Sequence, residues 1–176
     1  MSLMMMFMLA IGLSMDAFSL ALIYGTLNMS KSLNSKMSIM VSLFHFFMPI
    51  LGYYLGRWIL NIIGIDPEII VGVIFIALAI EMLLSLKKEE QVKILTNIFS
   101  VMVFAFTVSI DSFSIGIGLG ALKNEILIPS FLFSITSGIF TYIGVNLGKT
   151  LVNKLGKITT LIGSLILFVL GFYYLW

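Results

Sequence analysis

Two aspartates inside long apolar stretches are the residues whose type and spacing could do chemistry. Asp16 lies in the segment SMDAFS and Asp111 in the segment SIDSFS, 95 positions later. Gly25 and Gly120 follow them at the same distance, roughly 13 Å along a helix, so both carboxyl groups are expected well inside a hydrocarbon layer about 30 Å thick. An aspartate there costs at least about 2.5–3.5 kcal/mol. The duplication favours a functional pair over two protonated carboxyls that merely hydrogen-bond neighbouring helices.

Four further polar side chains are weaker candidates for the same site. Ser19 and Ser114 follow their aspartates by one helical turn, and their hydroxyls could bind a cation or bond the preceding turn of their own helix. His45 precedes Pro49, which is expected to leave unpaired carbonyl groups in its helix, and it is as readily a packing residue as a ligand. Glu81 ranks below the aspartates, because it lies near the end of its apolar segment and can reach the membrane edge.

The available donor atoms indicate a hard cation. Carboxylates and hydroxyls suit Mn²⁺, Mg²⁺ or Ca²⁺ better than Zn²⁺ or Cu⁺, and the chain has no cysteine to supply a thiolate. The methionines near the N-terminus are interpreted as ordinary apolar residues rather than as a copper site. These residues therefore predict transport of a divalent cation, with no resident cofactor.

The composition excludes a soluble enzyme. Hydrophobic residues make up 60% of the chain and charged residues only 10%, whereas roughly a quarter of an average soluble domain is charged. A mean hydropathy of +1.16 cannot be covered by a solvated surface. The net charge of +2 comes from short basic clusters between apolar runs, which are typical of membrane edges and not of a nucleic-acid interface.

Six apolar segments are expected to cross the membrane as helices. They cover approximately residues 3–25, 37–58, 69–86, 94–121, 127–148 and 158–176. The runs lack the alternation of barrel strands, so the predicted fold is an all-α polytopic membrane protein with one membrane domain, residues 1–176. The first segment is kept as a helix and not a signal peptide, because Asp16 interrupts its apolar stretch.

The basic residues predict the orientation of these helices. Loops 1–2, 3–4 and 5–6 carry Lys31, Lys36, Lys87, Lys88, Lys93, Lys149, Lys154 and Lys157, whereas the opposite side carries Arg57 and Lys123. Because the basic side of a membrane protein faces the cytoplasm, both termini are expected outside.

The aspartate segments belong to a longer internal repeat. Gly52 and Gly56 in the second segment match Gly144 and Gly148 in the fifth at an offset of 92. We interpret the chain as two three-helix units, approximately residues 1–90 and 91–176, threaded through the membrane in opposite directions because three is odd. Inverted repeats are typical of secondary transporters, and the glycine pairs themselves indicate close helix packing.

The same residues carry a resemblance to a known family. The two aspartate segments, together with the segment FHFFMP and Gly52 and Gly56 after it, resemble the bacterial manganese efflux pumps of the MntP family over the whole chain. This resemblance implies an exporter of Mn²⁺ in the cytoplasmic membrane, with Asp16 and Asp111 important for function. Related members carry Gln or Glu in place of His45, and varied polar residues in place of Glu81.

Two other functions remain open at this stage. A membrane protein with a structural or sporulation role, similar to a branch of the same family, would show the same six segments. An intramembrane aspartyl protease also needs two membrane aspartates, but its second one lies in a Gly-x-Gly-Asp motif, whereas Asp111 follows VSI.

The energetics of export predict a coupling ion. Moving a dication outward against an inside-negative potential costs about 4.6 kcal/mol per 100 mV, twice the cost for a single charge. The string GVNLGKT at residues 144–150 lacks the spacing of a phosphate-binding loop, so ATP is not the expected energy source. The inward movement of protons or sodium ions is expected to drive export, and no enzymatic activity is expected.

Overall fold

The computed structural model describes residues 1–27, 30–87, 95, 97–122 and 125–176, without the side chains of 61, 63, 149 and 152–154. Within these residues the regular elements are all helices: α1 (Leu3–Gly25), α2 (Lys31–Ile63), α3 (Pro67–Ser85), α4 (Ile98–Val108), α5 (Ile110–Ala121) and α6 (Leu127–Leu175). Serine or asparagine side chains cap the starts of α1, α2 and α4, and Asp66 caps α3.

The predicted number of membrane spans is confirmed. Within the described part of the chain, six segments are long and apolar enough to cross a membrane: Leu3–Gly25, Lys31–Leu60, Pro67–Ser85, Ile98–Ala121, Leu127–Gly148 and Leu155–Leu175. The second helix is longer than predicted, because Ser30 caps it and its polar first turns still propagate the backbone hydrogen bonds. Of the basic residues behind the orientation prediction, Lys88, Lys93 and Lys123 lie outside the described residues.

The fourth span is bent where the sequence predicted one continuous helix. α4 ends at Val108 and α5 begins at Ile110, with Ser109 between them at φ −93° and ψ 2°. The Ser109 hydroxyl donates to the carbonyl oxygen of Ala105, 2.7 Å away, which competes with regular helical bonding at the bend. α2 continues through Pro49 as one helix, and the predicted opening is the single helical bond that Pro49, without an N–H, cannot make to the carbonyl oxygen of His45.

The fifth and sixth spans form one run of helical residues that doubles back. We call Leu127–Gly148 α6a and Leu155–Leu175 α6b. Contacts with α1 advance in the same direction along α6a, from Ser14 beside Ser137 to Gly25 beside Val145. They run in the opposite direction along α6b, where Ser19 meets Gly156 while Gly12 packs against Gly163. The chain therefore reverses direction between the two spans, where a polar break was predicted, although its residues there still belong to one helical run.

Glycines allow the closest helix approaches. A methyl group on Gly56 would overlap the carbonyl oxygen of Ile117 in α5, and one on Gly148 would overlap that of Leu22 in α1. These two contacts correspond under the sequence offsets, because Gly56 and Gly148 are 92 positions apart and Leu22 and Ile117 are 95 apart. The glycines at 52 and 144 likewise contact the backbone of Phe113 and Phe18, which are again 95 apart.

Two apolar clusters form the interior. One contains Leu9, Ala10 and Leu13 of α1, a row of α3, and Ile115 and Leu119 of α5, with Phe133 of α6a. The other contains Ala17 and Ala21 of α1, Met37 and Val41 of α2, the buried face of α4, and Val145 of α6a. On α1 and α6a, which contribute to both clusters, the two clusters occupy different stretches of the helix, with other residues between them.

Candidate cation site

Six fully buried polar residues lie between the positions of the two apolar clusters along four of the spans. On α1, α2, α4–α5 and α6a, the residues between one cluster and the other include Ser14, His45, Ser109, Ser112, Ser137 and Thr141, each with 0% of its surface exposed. We call this set the polar belt. A buried hydroxyl or imidazole is costly without a partner, so these polar groups on four of the spans indicate a site that polar species occupy.

Each aspartate lies, along its own helix, between the two apolar clusters. Asp16 falls between Leu13 of one cluster and Ala17 of the other, and Asp111 falls between Val108 and Ile115. Both are partly buried. Asp111 is in the first turn of α5, where the positive end of the helix dipole favours a carboxylate.

Glu81 lies close enough to Asp111 to interact with it electrostatically. The two carboxylates raise each other's energy when both are charged, which a bound cation would relieve. Glu81 is exposed on α3, as its position near the end of the third segment led us to expect. The structure thus pairs this weaker candidate with the second aspartate.

A serine two residues before each aspartate ties its helix to a neighbour. Ser14 hydrogen-bonds to Ser137 of α6a at 3.1 Å, and Ser109 hydrogen-bonds to Nδ1 of His45 in α2 at 2.8 Å. Each serine also donates to the carbonyl four residues earlier, in Ala10 or Ala105. Ser14 and Ser109 are 95 positions apart, and His45 and Ser137 are 92 apart, so the two bonds occupy equivalent places.

The tautomer of His45 follows from its contacts. Nδ1 lies 3.0 Å from the carbonyl oxygen of Val41, which can only accept a hydrogen bond. Since the Ser109 hydroxyl donates its own proton to Ala105, we assign the single proton of the neutral ring to Nδ1, where it is shared between Val41 and Ser109, and Nε2 then carries a lone pair. Nε2 is buried and has no hydrogen-bond partner among the described residues.

The two candidate serines after the aspartates behave differently. Ser19 donates to the carbonyl oxygen of Gly156 at 3.2 Å and accepts a bond from Thr160 at 3.1 Å, so it joins α1 to α6b. Ser114 donates to the carbonyl of Ile110 in its own helix at 3.3 Å, which is the alternative considered for both.

The candidate ligands are not gathered around one point. No three His, Asp or Glu side chains among the described residues lie close enough to hold a metal ion. What the arrangement offers is a sequence of polar positions across four helices, with a carboxylate on each of α1 and α5. Such an arrangement suits an ion that passes through better than one that stays.

Several residues of this site were not singled out from the sequence. Ser137 and Thr141 in α6a are examples, as is the pair Ser42 and Ser134, whose hydroxyls lie 2.9 Å apart between α2 and α6a. Ser42 and Ser134 are themselves 92 positions apart, the offset of the glycine pairs. Applying that offset to every polar residue of the second segment would have found this pair, and would have matched His45 to Ser137.

Comparisons with known proteins agree in one description. A family model described as "Putative manganese efflux pump" matches residues 28–175. Proteins named "Putative manganese efflux pump MntP" are 33% identical in Geobacillus thermodenitrificans (93% of this chain, 90% of the relative) and in Bacillus licheniformis (93% and 89%). A protein of the same name from Bacillus mycoides is 32% identical, over 95% of this chain and 92% of the relative. No solved structure matches the chain.

Proposed function

This chain belongs to the MntP family and has six helices that can span a membrane, and we propose that it exports Mn²⁺ from the cytoplasm. The observation that carries this proposal is the pair of equivalent aspartates, each of which lies near buried polar residues of its own helix. Carboxylate oxygens replace the hydration of a dication, and two of them neutralise its charge inside the hydrocarbon layer. Asp16 and Asp111 are the principal ligands, with Ser19, Ser114, His45 and Glu81 as secondary positions.

We infer that the two halves of the chain form an inverted repeat that alternates the access of the site. The paired contacts of α1 with α6a and of α2 with α5 support this, since they correspond under the same two offsets. In inverted-repeat transporters the substrate lies near the membrane midplane, between the halves. Along their own helices, Asp16 and Asp111 lie between the two apolar clusters, which fits that position.

Export against the membrane potential requires a coupled ion, and protons are the simplest choice. A carboxyl in hydrocarbon favours its protonated form once the metal has left, because burial disfavours the charged form. Two aspartates would then carry one Mn²⁺ outward and two protons inward. The membrane is the bacterial cytoplasmic membrane, with both termini outside.

A growth experiment tests the export proposal. A bacterium that lacks its own manganese exporter is transformed with this chain and challenged with Mn²⁺, Fe²⁺, Co²⁺, Mg²⁺ and Ca²⁺, while cellular metal is measured. Restored growth and lowered cellular manganese in Mn²⁺ alone are the expected result. Unchanged manganese content, with the protein present in the membrane, would contradict export and leave a structural role for this family member.

A further inference from the structure

His45 supplies a donor atom that its structural contacts do not use. Nδ1 makes both hydrogen bonds of the ring, to Val41 and to Ser109, and thereby holds α2 against the bend between α4 and α5. Nε2, on the far side of the ring, is buried and has no partner among the described residues. Leaving a buried polar atom without a partner costs about 1–3 kcal/mol, so an idle nitrogen there needs a reason.

The other half of the chain provides an internal comparison. At the position equivalent to His45, Ser137 makes the corresponding bond to Ser14 with a hydroxyl alone. A hydroxyl is therefore sufficient to join the two helices at this level. The imidazole has a second nitrogen that this bond does not need, and Ser137 has no atom that corresponds to it.

The backbone beside the ring adds a second acceptor. Pro49 lies four residues after His45 within the continuous helix α2, and a proline has no N–H to donate to the carbonyl of the residue four positions earlier. The His45 carbonyl oxygen thus lacks its usual helical donor. An acceptor nitrogen and an acceptor oxygen from one residue lie in the polar belt, and cations bind such atoms.

The unpartnered atoms are confined to two helices. In the described part of the chain, the buried side-chain atoms without a hydrogen-bond partner are Asn34 Oδ1, His45 Nε2, Ser130 Oγ and Thr141 Oγ1. The first two belong to α2 and the last two to α6a, the helices joined by the Ser42–Ser134 bond. Polar side-chain atoms without a partner therefore occur on both of these neighbouring helices.

We propose that Nε2 of His45 binds Mn²⁺ during transport and thereby favours Mn²⁺ over Mg²⁺ and Ca²⁺. This inference rests on the proposed export function and deepens it. Mg²⁺ and Ca²⁺ take oxygen ligands, whereas an imidazole nitrogen is a common ligand of transition metals, so a nitrogen in an otherwise oxygen-lined path discriminates between the two groups. In this conformation His45 is a separate position from the carboxylates, consistent with an ion that moves between weak sites.

Pulsed electron paramagnetic resonance tests the inference directly, because Mn²⁺ is paramagnetic and couples to a nitrogen that binds it. The chain contains a single histidine, so an imidazole ¹⁴N coupling can come only from His45 once any purification tag is removed. The full chain is purified into lipid nanodiscs and titrated with Mn²⁺. The expected result is a ¹⁴N modulation on bound Mn²⁺ that is absent in His45→Gln and retained in Ser35→Ala, which removes an exposed hydroxyl of the same helix that bonds to the Lys31 carbonyl.

A competition measurement gives the selectivity. We expect His45→Gln to lower the preference for Mn²⁺ over Mg²⁺ by about tenfold or more, since even an outer-shell partner of a metal ligand is worth 10–100-fold. Ser35→Ala, a change in the same helix but outside the candidate site, should leave the preference unaltered. The wild-type spectrum needs no variant, so the test stands even if His45→Gln does not fold.

The outcomes separate the inference from the proposed function. Mn²⁺ that binds and is exported, but shows no ¹⁴N coupling at concentrations that saturate transport, would overturn the role of His45 and leave export intact. An unchanged Mn²⁺ preference in a folded His45→Gln variant would overturn it as well. A chain that neither binds nor transports Mn²⁺ would overturn both.

Discussion

At the scale of single residues, each aspartate follows a serine that fixes its helix against a neighbour. Ser14 bonds to Ser137 and Ser109 bonds to His45, so both carboxylates stand on helix positions that are held from one side. A rigidly placed carboxylate can exchange a proton for a metal ion without a large rearrangement of its own helix. We therefore propose that the function of the site depends on the charge of these two side chains more than on their packing.

This dependence predicts that Asp16→Asn and Asp111→Asn each abolish manganese resistance while the protein stays in the membrane. Asparagine keeps the size and one carbonyl oxygen of the side chain but removes the charge that compensates for the lost hydration of the dication. Resistance is measured by growth in Mn²⁺, and the amount of protein by blotting of membrane fractions. Full resistance in either variant would refute the carboxylate site.

Asp66→Asn is the matched control. Asp66 caps α3 through a bond from the Glu68 N–H to its side chain, 3.1 Å away, and is exposed at the helix end. Asparagine caps helices about as well as aspartate, so this variant should keep wild-type resistance. Loss of the protein from the membrane in the Asp16 or Asp111 variants, but not in this one, would indicate a structural role for those carboxyls.

The sequence predicts these aspartates because a charge inside an apolar segment is costly wherever the helices lie. It does not predict their surroundings. The approach of Glu81 to Asp111 and the bond from Ser109 to His45 join residues 30 or more positions apart, and they depend on how the helices pack. Only the repeat offsets carry such information in a single sequence, and they match His45 to Ser137 without naming the partner of either.

At the scale of helices, backbone contacts at glycines hold α1 to α6a and α2 to α5. With lipid around the bundle there is no hydrophobic drive to bring these helices together, so close van der Waals packing at small residues supplies the attraction. Gly56 and Gly148 lie against carbonyl oxygens, which belong to the backbone and cannot rotate away from an added methyl group as a flexible side chain would. These glycines are therefore expected to be sensitive to any enlargement.

We predict that Gly56→Ala and Gly148→Ala each lower the stability of the protein by about 1–3 kcal/mol, the usual cost of overpacking. The measurement is the thermal unfolding of the purified protein in one detergent. Gly156→Ala is the control, because a methyl group there would lie 3.7 Å from the nearest described atom, Ser19 Oγ. Equal melting temperatures for all three variants would show that the close approaches do not stabilise the bundle.

Helix existence follows from the sequence, but helix continuity does not. The six spans appear as predicted, since runs of about 20 apolar residues must form helices in a bilayer. The bend at Ser109 depends on a side-chain bond to Ala105 and on the imidazole from another helix, which apolar periodicity does not record. The helical residues from Leu127 to Leu175 likewise pass through a basic stretch that hydropathy reads as a break.

At the scale of the whole molecule, the two chain ends meet at one face of the bundle. Met1 and Ser2 share a cavity of about 460 Å³ with Tyr173, Tyr174 and Glu68. An even number of membrane spans also places both ends of the chain on the same side of the membrane. We predict which face this is from the sequence positions of the basic residues, eight in loops 1–2, 3–4 and 5–6 and two towards the opposite side.

We therefore predict that a reporter fused after Trp176 is active only outside the cytoplasm. Alkaline phosphatase, which folds in the oxidising periplasm, should be active in that fusion and inactive when inserted after Lys87. Green fluorescent protein should give the reverse pattern. A fusion after Trp176 that fluoresces while the phosphatase fusion is inactive would show that the predicted orientation is wrong.

The charge balance of the two aspartates makes a prediction for the whole transport cycle. If one Mn²⁺ leaves as two protons enter, the pair of carboxyls is neutral overall in both crossings, since it carries either one dication or two protons. No net charge then moves through the membrane, and the cost of about 4.6 kcal/mol per 100 mV for moving a lone dication disappears.

We expect transport in reconstituted vesicles to follow an imposed pH gradient and to be indifferent to a potassium diffusion potential set with valinomycin. Mn²⁺ flux is read with a fluorescent indicator inside the vesicles and proton flux with a pH dye, and the Asp16→Asn and Asp111→Asn variants should abolish both. Mn²⁺ uptake driven by the potential at equal pH, without proton movement, would exclude this exchange and favour sodium coupling or a channel.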